Sequence, residues 1–390
     1  MELSEEVSLF RGIELFNKKN IQDALSYFTN AKSAKNKNIK IKASYWEAET
    51  TYQLKRYNDA LNHFVALEKD LALDKNDYPL LDYNIGYCYF KLENYEKAIQ
   101  YFHKTTKLKI DLENIIDDTY LRLGDSYFAL RNYKKAISNY NFIIDKKGLN
   151  SDYAEYQTGL SYGFQEQNSL KIKTLTNVIN YYKISSLKDD ALFELANTYV
   201  KENNTTSAHN AYNRLYTKHP SSIFISKALV REGLLYYNED KNSKALERFK
   251  SVAKQYPNSS DAIEAVKNAK NIYLDEDRLD QYVAWIKELN YVEISDTELE
   301  KSSFIIAERK YFKGKNESSI LSLKKYLKKY PNGKNYLKAT YYLANLFYIE
   351  KDYAEAKETY QQVLKAGQTD YSEEALAKLS ELYLNDGNFK

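Results

Sequence analysis

A phrase of about 37 residues returns from one end of this 390-residue chain to the other. Gly86 and Gly124 stand 38 apart, in Ile85-Gly86-Tyr87-Cys88-Tyr89-Phe90 and Leu123-Gly124-Asp125-Ser126-Tyr127-Phe128. The next residues match too, Glu93-Asn94-Tyr95-Glu96-Lys97-Ala98-Ile99 with Arg131-Asn132-Tyr133-Lys134-Lys135-Ala136-Ile137. Pro220 and Pro257 lie 37 apart and Pro331 comes at twice that distance, with Tyr256-Pro257 recurring as Tyr330-Pro331. Self-similarity at a fixed period points to a stacked repeat, in which each unit buries its apolar face only against its neighbours.

Each unit reads as two helices. The first carries a small residue with an aromatic three positions on, as in Gly124 and Tyr127. The second carries Ala with a ring four positions on: Ala24/Phe28, Ala60/Phe64, Ala98/Phe102, Ala136/Tyr140, Ala208/Tyr212, Ala245/Phe249 and Ala356/Tyr360. Spacings of three and four share one helix face, so a small residue lets two helices approach and a ring fills the space beside it. Asn20, Asn94, Asn132, Asn204 and Asp352 mark the turn between helices, where residues tolerant of a left-handed conformation are expected. Only 11 Gly and 4 Pro among 390 residues agree with an all-α chain.

This pattern resembles the tetratricopeptide repeat, a helix–turn–helix unit. With the family's small residue counted as position 8, it falls at Gly12, Ala48, Gly86, Gly124, Gly159, Ala196, Gly233, Ala269, Ala307, Ala344 and Ser380. The resemblance implies a right-handed superhelical solenoid of about ten and a half helical hairpins. With no Pro/Gly/Ser-rich linker, residues 1–390 read as one continuous array. The pattern is less regular near 151–187, where Lys171 replaces the second-helix Ala, and near 262–335, where Gln281 and Ser319 do. The chain stops just after Phe389, which sits where Tyr133 and Tyr353 begin second helices. That end is read as a cut in a longer solenoid, the alternative being a natural cap.

In this family the first helices line an inner face, reached by positions 2, 5, 9 and 12. Here positions 5 and 12 supply Tyr45, Tyr52, Tyr83, Phe90, Phe128, Tyr156, Phe193, Tyr237, Tyr273, Phe304, Tyr311, Tyr341 and Tyr348. Positions 5 and 12 are two helical turns apart, so the expected groove is a ladder of rings with polar tips. Tyrosine offers contact area at low rotamer cost and keeps a hydroxyl for hydrogen bonding. The expectation is a non-enzymatic scaffold holding a protein or peptide along this face, with weak salt dependence because rings dominate it. The family's clamp for a C-terminal carboxylate needs Lys at position 5 and Asn at position 9. Asn197 and Asn345 are present, but Phe193 and Tyr341 stand where the lysines belong.

Other chemistry finds little support. A charge of +3 from 57 basic and 54 acidic residues argues against nucleic-acid binding. No apolar run reaches the roughly 18 residues that span a bilayer. Neither cofactor nor metal is expected, since the single Cys88 and the scattered His63, His103, His209 and His219 form no ligand motif. Gly159-Leu160-Ser161-Tyr162-Gly163 mimics a nucleophile elbow but lies at helical repeat positions, so Ser161 reads as structural. No carboxylate pair stands in an apolar setting that would separate its pKa values, and the acidic stretches Asp111 to Asp118 and Asp275-Glu276-Asp277 read as solvated. Lys324, Lys325, Lys328 and Lys329 read as the outer face of a second helix.

The phrases Tyr256-Pro257-Asn258, Tyr330-Pro331-Asn332 and Ala191-Leu192-Phe193-Glu194-Leu195-Ala196 resemble long envelope-associated repeat proteins of Gram-negative bacteria. They are similar to the lipoprotein of outer-membrane protein assembly and the Tol–Pal-associated protein. This implies a periplasmic or envelope assembly role. The alternatives are a cytoplasmic adaptor or regulator, and a binder of peptidoglycan or glycan, on whose sugars tyrosine rings also stack.

Overall fold

The structure, a computed structural model, describes residues 4–70, 77–108 and 112–385. These residues form 21 α-helices and no strand. By contact density the chain divides at Pro220 into two compact units. The first unit holds six hairpins: α1 (Glu5–Asn17) with α2 (Ile21–Ala31), α3 (Lys37–Gln53) with α4 (Tyr57–Glu68), α5 (Leu81–Lys91) with α6 (Tyr95–Thr105), α7 (Glu113–Ala129) with α8 (Tyr133–Lys146), α9 (Ser151–Phe164) with α10 (Asn168–Tyr181), and α11 (Lys188–Lys201) with α12 (Thr205–Lys218). The second holds four, α13 (Ile225–Asn238) with α14 (Asn242–Gln255), α15 (Ser260–Asp275) with α16 (Leu279–Ile286), α17 (Asp296–Phe312) with α18 (Asn316–Lys329), and α19 (Tyr336–Ile349) with α20 (Tyr353–Lys365), followed by α21 (Ser372–Asn385). Ten hairpins and a first helix match the expected architecture. Phe389, expected to begin a second helix, lies outside the described residues, as does Asp111.

The small residue and the ring work as a pair across the hairpin. A Cβ on Gly86 would stand 2.8 Å from Phe102, and one on Gly12 or Gly233 would stand 2.6 Å from Phe28 or Phe249. Only glycine admits these rings at that approach. Elsewhere Ala48, Ala196, Ala269, Ala307 and Ala344 fill the same place and are fully buried. Phe28, Phe64, Phe102, Tyr140, Tyr212 and Phe249 are buried to the same extent, so each pair sits in the buried core of its own hairpin.

The turns differ from expectation by one residue. Lys19, Lys55, Glu93, Arg131, Glu166, Asn203, Asp240, Asp277 and Lys351 adopt the left-handed conformation, and Gly314 takes that place in the ninth hairpin. The Asn or Asp after it caps the second helix through its side chain in four of the five expected places, Asn20 being the exception. Asn94, Asn132 and Asn204 accept from the backbone N–H of Lys97, Lys135 and Ser207 at 3.2, 3.4 and 3.1 Å. Capping answers orphan donors that the first turn leaves open, which explains the recurrence better than φ tolerance does.

The irregular repeats keep the packing by other means. Leu175, fully buried, replaces the ring opposite Gly159. Lys171 fits because Gly163 leaves room for its stem, and its ammonium reaches Glu194 at 2.7 Å. In the eighth hairpin α16 is only eight residues long, and Trp285 fills the ring's place. Ser319 is fully buried at the close contact, where its hydroxyl donates to the Ala307 carbonyl at 3.2 Å.

Candidate functional site

First helices approach the first helices of neighbouring hairpins, α1 with α3 and α5 with α7 in the first unit, α13 with α15 and α15 with α17 in the second. Their free face therefore carries side chains from several repeats. The thirteen rings expected there divide into two groups. Phe193, Tyr273, Phe304 and Tyr341 are 5%, 1%, 4% and 7% exposed, too little to meet a partner, and this corrects the expectation that they line a groove. Tyr273 is covered by Tyr282 and Trp285 at 6.0 and 6.3 Å, Phe304 by Tyr326 at 5.5 Å, and Tyr341 by Tyr371 at 4.8 Å.

Tyr45, Tyr52, Tyr83, Phe90, Phe128, Tyr156, Tyr237, Tyr311 and Tyr348 are half-buried. In the second unit their hydroxyls or faces are engaged by neighbours. Tyr237 donates to Asp275 at 2.5 Å, Tyr348 donates to Glu381 at 2.6 Å, and Tyr311 stacks on Tyr342 at 4.3 Å. Asn345 accepts from Tyr360 at 2.6 Å and Asn197 from Tyr212 at 3.1 Å, so both amides take part in packing.

In the first unit, α3, α5 and α7 assemble a denser arrangement. The Tyr83 hydroxyl donates to Asp118 at 2.8 Å and the Tyr87 hydroxyl donates to the same oxygen. Arg122 pairs with Asp118 at 3.3 Å and with Asp125 at 2.6 Å. Asp125 also accepts from Tyr140 and Tyr153 at 2.8 and 2.9 Å. The Arg122 guanidinium lies 5.8 Å from the Phe90 ring centre. One hydrogen-bonded chain thus fixes rings from three successive hairpins, and charged acceptors make its bonds the stronger kind. Burial outweighs Arg122 at Asp125 and raises its pKa.

Beside this chain lies Glu49. Its carboxylate accepts from Asn84 Nδ2, which also reaches the Tyr45 hydroxyl at 3.0 Å. No Lys or Arg among the described residues pairs with Glu49, and burial pushes its pKa up to about 7, against hydrogen bonds from Tyr45 and Asn84 that lower it. It opens into a pocket of about 200 Å³ lined by Glu49, Tyr52, Gln53, Tyr83, Asn84 and Tyr87.

Sequence reasoning missed Glu49, Tyr87 and Asp125 at position 9 and Asp118 at position 2. Both positions were assigned to the inner face, so charge at position 9 was the available signal. Of the two acidic stretches expected to be solvated, one departs from that at Asp117, and the other is tied into ion pairs. Asp117 is buried against Lys146 at 2.9 Å, Asp275 pairs with Arg309, and Asp277 pairs with Lys310 at 2.5 Å. Ser161 is buried and donates to the Gln157 carbonyl at 2.8 Å, a packing role. Cys88 is a buried free thiol whose pKa burial pushes up to about 12. Among the described residues no group of three His, Cys, Asp or Glu is arranged to hold a metal, and no helix is long and apolar enough to cross a membrane.

Family models described as tetratricopeptide repeat match residues 83–109, 117–141, 190–222, 227–259 and 338–366. Among solved structures, the C-terminal part of a TPR repeat-containing protein from Cytophaga hutchinsonii is 17% identical, with a TM-score of 0.55 over 66% of this chain and 98% of that one. A tetratricopeptide repeat protein from Parabacteroides merdae is 13% identical, with a TM-score of 0.45 over 68% of this chain and 98% of that one. A comparison with curated proteins gives no match.

Proposed function

From the premise that this is a tetratricopeptide-repeat protein, we propose that it is a non-enzymatic scaffold and that the first-helix face of α3, α5 and α7 holds a segment of a protein partner. The observation that carries this is the linked array of Tyr45, Tyr52, Tyr83, Tyr87 and Phe90. All five rings are half-buried, and Tyr45, Tyr83 and Tyr87 are pinned through Asn84 and Asp118. Rings held in place before binding lose little freedom on contact, which favours affinity. The carboxylates among them make the binding salt-dependent, in contrast to an all-aromatic groove. The Tyr-Pro-Asn phrases support a setting in the bacterial envelope, which fractionation of native cells would test.

Site-specific photo-crosslinking tests the face directly. A benzoylphenylalanine at Tyr52 or Phe90 is expected to trap a defined partner in the native cell. The same probe at the exposed second-helix residues Gln100 and Ser138 is expected to trap none. Crosslinks at the second-helix positions alone would reject this face.

A further inference from the structure

Glu49 is an unusual resident of a tyrosine-lined pocket. The other carboxylates of this face have their counter-charge, since Asp118 and Asp125 share Arg122. Glu49 receives only the neutral amide of Asn84 and the Tyr45 hydroxyl. A half-buried carboxylate with no cation has given up hydration without gaining a charge partner. Its pocket is bounded by the rings of Tyr52, Tyr83 and Tyr87, with Tyr52 and Tyr87 set nearly edge to face at 6.4 Å. Tyr83 and Tyr87 donate their hydroxyls to Asp118, so these two lining rings have no hydroxyl proton left for an occupant. Ring faces attract cations, and the attraction grows when water is excluded.

We propose that this pocket takes the cationic side chain of a lysine or arginine in the partner segment, with Glu49 as its counter-ion and the three rings as its walls. Charge complementarity selects this occupant. An acidic side chain would meet Glu49 as a like charge, and a purely apolar one would leave Glu49 without a partner. The inference rests on the scaffold reading above and names the partner's chemistry at one point of that face. No covalent step is involved.

The test uses the full chain and three fluorescein-labelled nonapeptides of one Leu/Ser background, with lysine, arginine or norleucine at the centre. Binding is read by fluorescence anisotropy. The cationic peptides are expected to bind about tenfold more tightly than the norleucine peptide, as a desolvated cation–ring contact with a counter-ion would give. Glu49→Gln keeps the bond to Asn84 and is expected to erase that preference. Tyr52→Leu, at a half-buried position, is expected to weaken the preference severalfold. The preference is also expected to rise between pH 6 and pH 8 in the native chain and to stay flat in Glu49→Gln. The groups facing Glu49 are Tyr45, Tyr52, Tyr83, Tyr87 and Cys88, with Tyr57 behind Tyr52. Burial raises the pKa of Tyr45, Tyr52, Tyr83, Tyr87 and Cys88, so between these five and Glu49 it is Glu49 that titrates in that interval. Equal binding of the three peptides, or a preference that survives Glu49→Gln, overturns the pocket while photo-crosslinks at Tyr52 still support the face. Failure of all three peptides to bind, with no crosslink at Tyr52 or Phe90, overturns both.

Discussion

Glu49 also links this face to stability. Its folded-state pKa of about 7 lies above the ordinary 4.5, so the folded chain holds this proton more tightly than the unfolded one. The resulting contribution is complete below the ordinary value and disappears as pH rises through 7. The size is up to about 3 kcal/mol from the shift alone. Glu49→Gln, neutral at every pH, is therefore expected to match the native chain near pH 4 and to be the more stable of the two at pH 8. Urea midpoints at the two pH values check this, and a gap that does not widen with pH would refute the assignment. A site with a charge mismatched to its resting state is a familiar trade between stability and binding. Asp118 illustrates the other solution, since Arg122, Tyr83 and Tyr87 all serve it within the chain.

A hairpin is set by the pairing of its small residue with the bulky one sixteen positions later. Gly86 and Phe102 show how tight that pairing is, with a hypothetical Cβ at 2.8 Å from the ring. Gly86→Ala is expected to destabilise the first unit by roughly 1–3 kcal/mol through overpacking, despite alanine's better helix propensity. Phe102→Leu alone leaves a cavity, yet combined with Gly86→Ala it is expected to cost less than the sum of the two changes. A double-mutant cycle on denaturant midpoints measures that coupling. Ala307 opposite Leu323, both fully buried, already realises the smaller combination in the ninth hairpin. Hairpins are joined in turn by bonds one repeat long. Asn168 donates to Glu202 at 2.5 Å, Asn242 to Glu276 at 2.8 Å and Asn316 to Glu350 at 2.8 Å, each pair 34 residues apart.

At the scale of the whole chain, helices touch almost only the elements next to them in sequence or one hairpin away. Stability in such an array is a sum of local and nearest-neighbour contributions. Within the first unit, Gly86→Ala is expected to lower amide protection in α3 to α8 and to leave α11 and α12 as they were. Hydrogen exchange read by mass spectrometry resolves this. Uniform loss across α1 to α12 would mean that the unit unfolds as one cooperative body.

The period, the helix pairs and the small-residue spacing were all legible in the amino-acid order, because each hairpin is built from contacts made within about twenty residues. Gly12, Gly86, Gly124 and Gly233 announce close helix approach without any knowledge of the neighbours. The left-handed turn was displaced by one residue, since Asn and Asp favour both that conformation and the N-cap. Exposure at equivalent positions was not legible. Tyr45 and Tyr341 hold the same repeat position, yet one is half-buried and the other is covered by Tyr371. The environment of Glu49 was hidden for the same reason, since Asn84, Tyr83 and Tyr87 reach it from the next hairpin. What a side chain faces across a repeat boundary depends on the rotation of one hairpin against the next, and that rotation comes from packing between units rather than from the pattern inside any one of them.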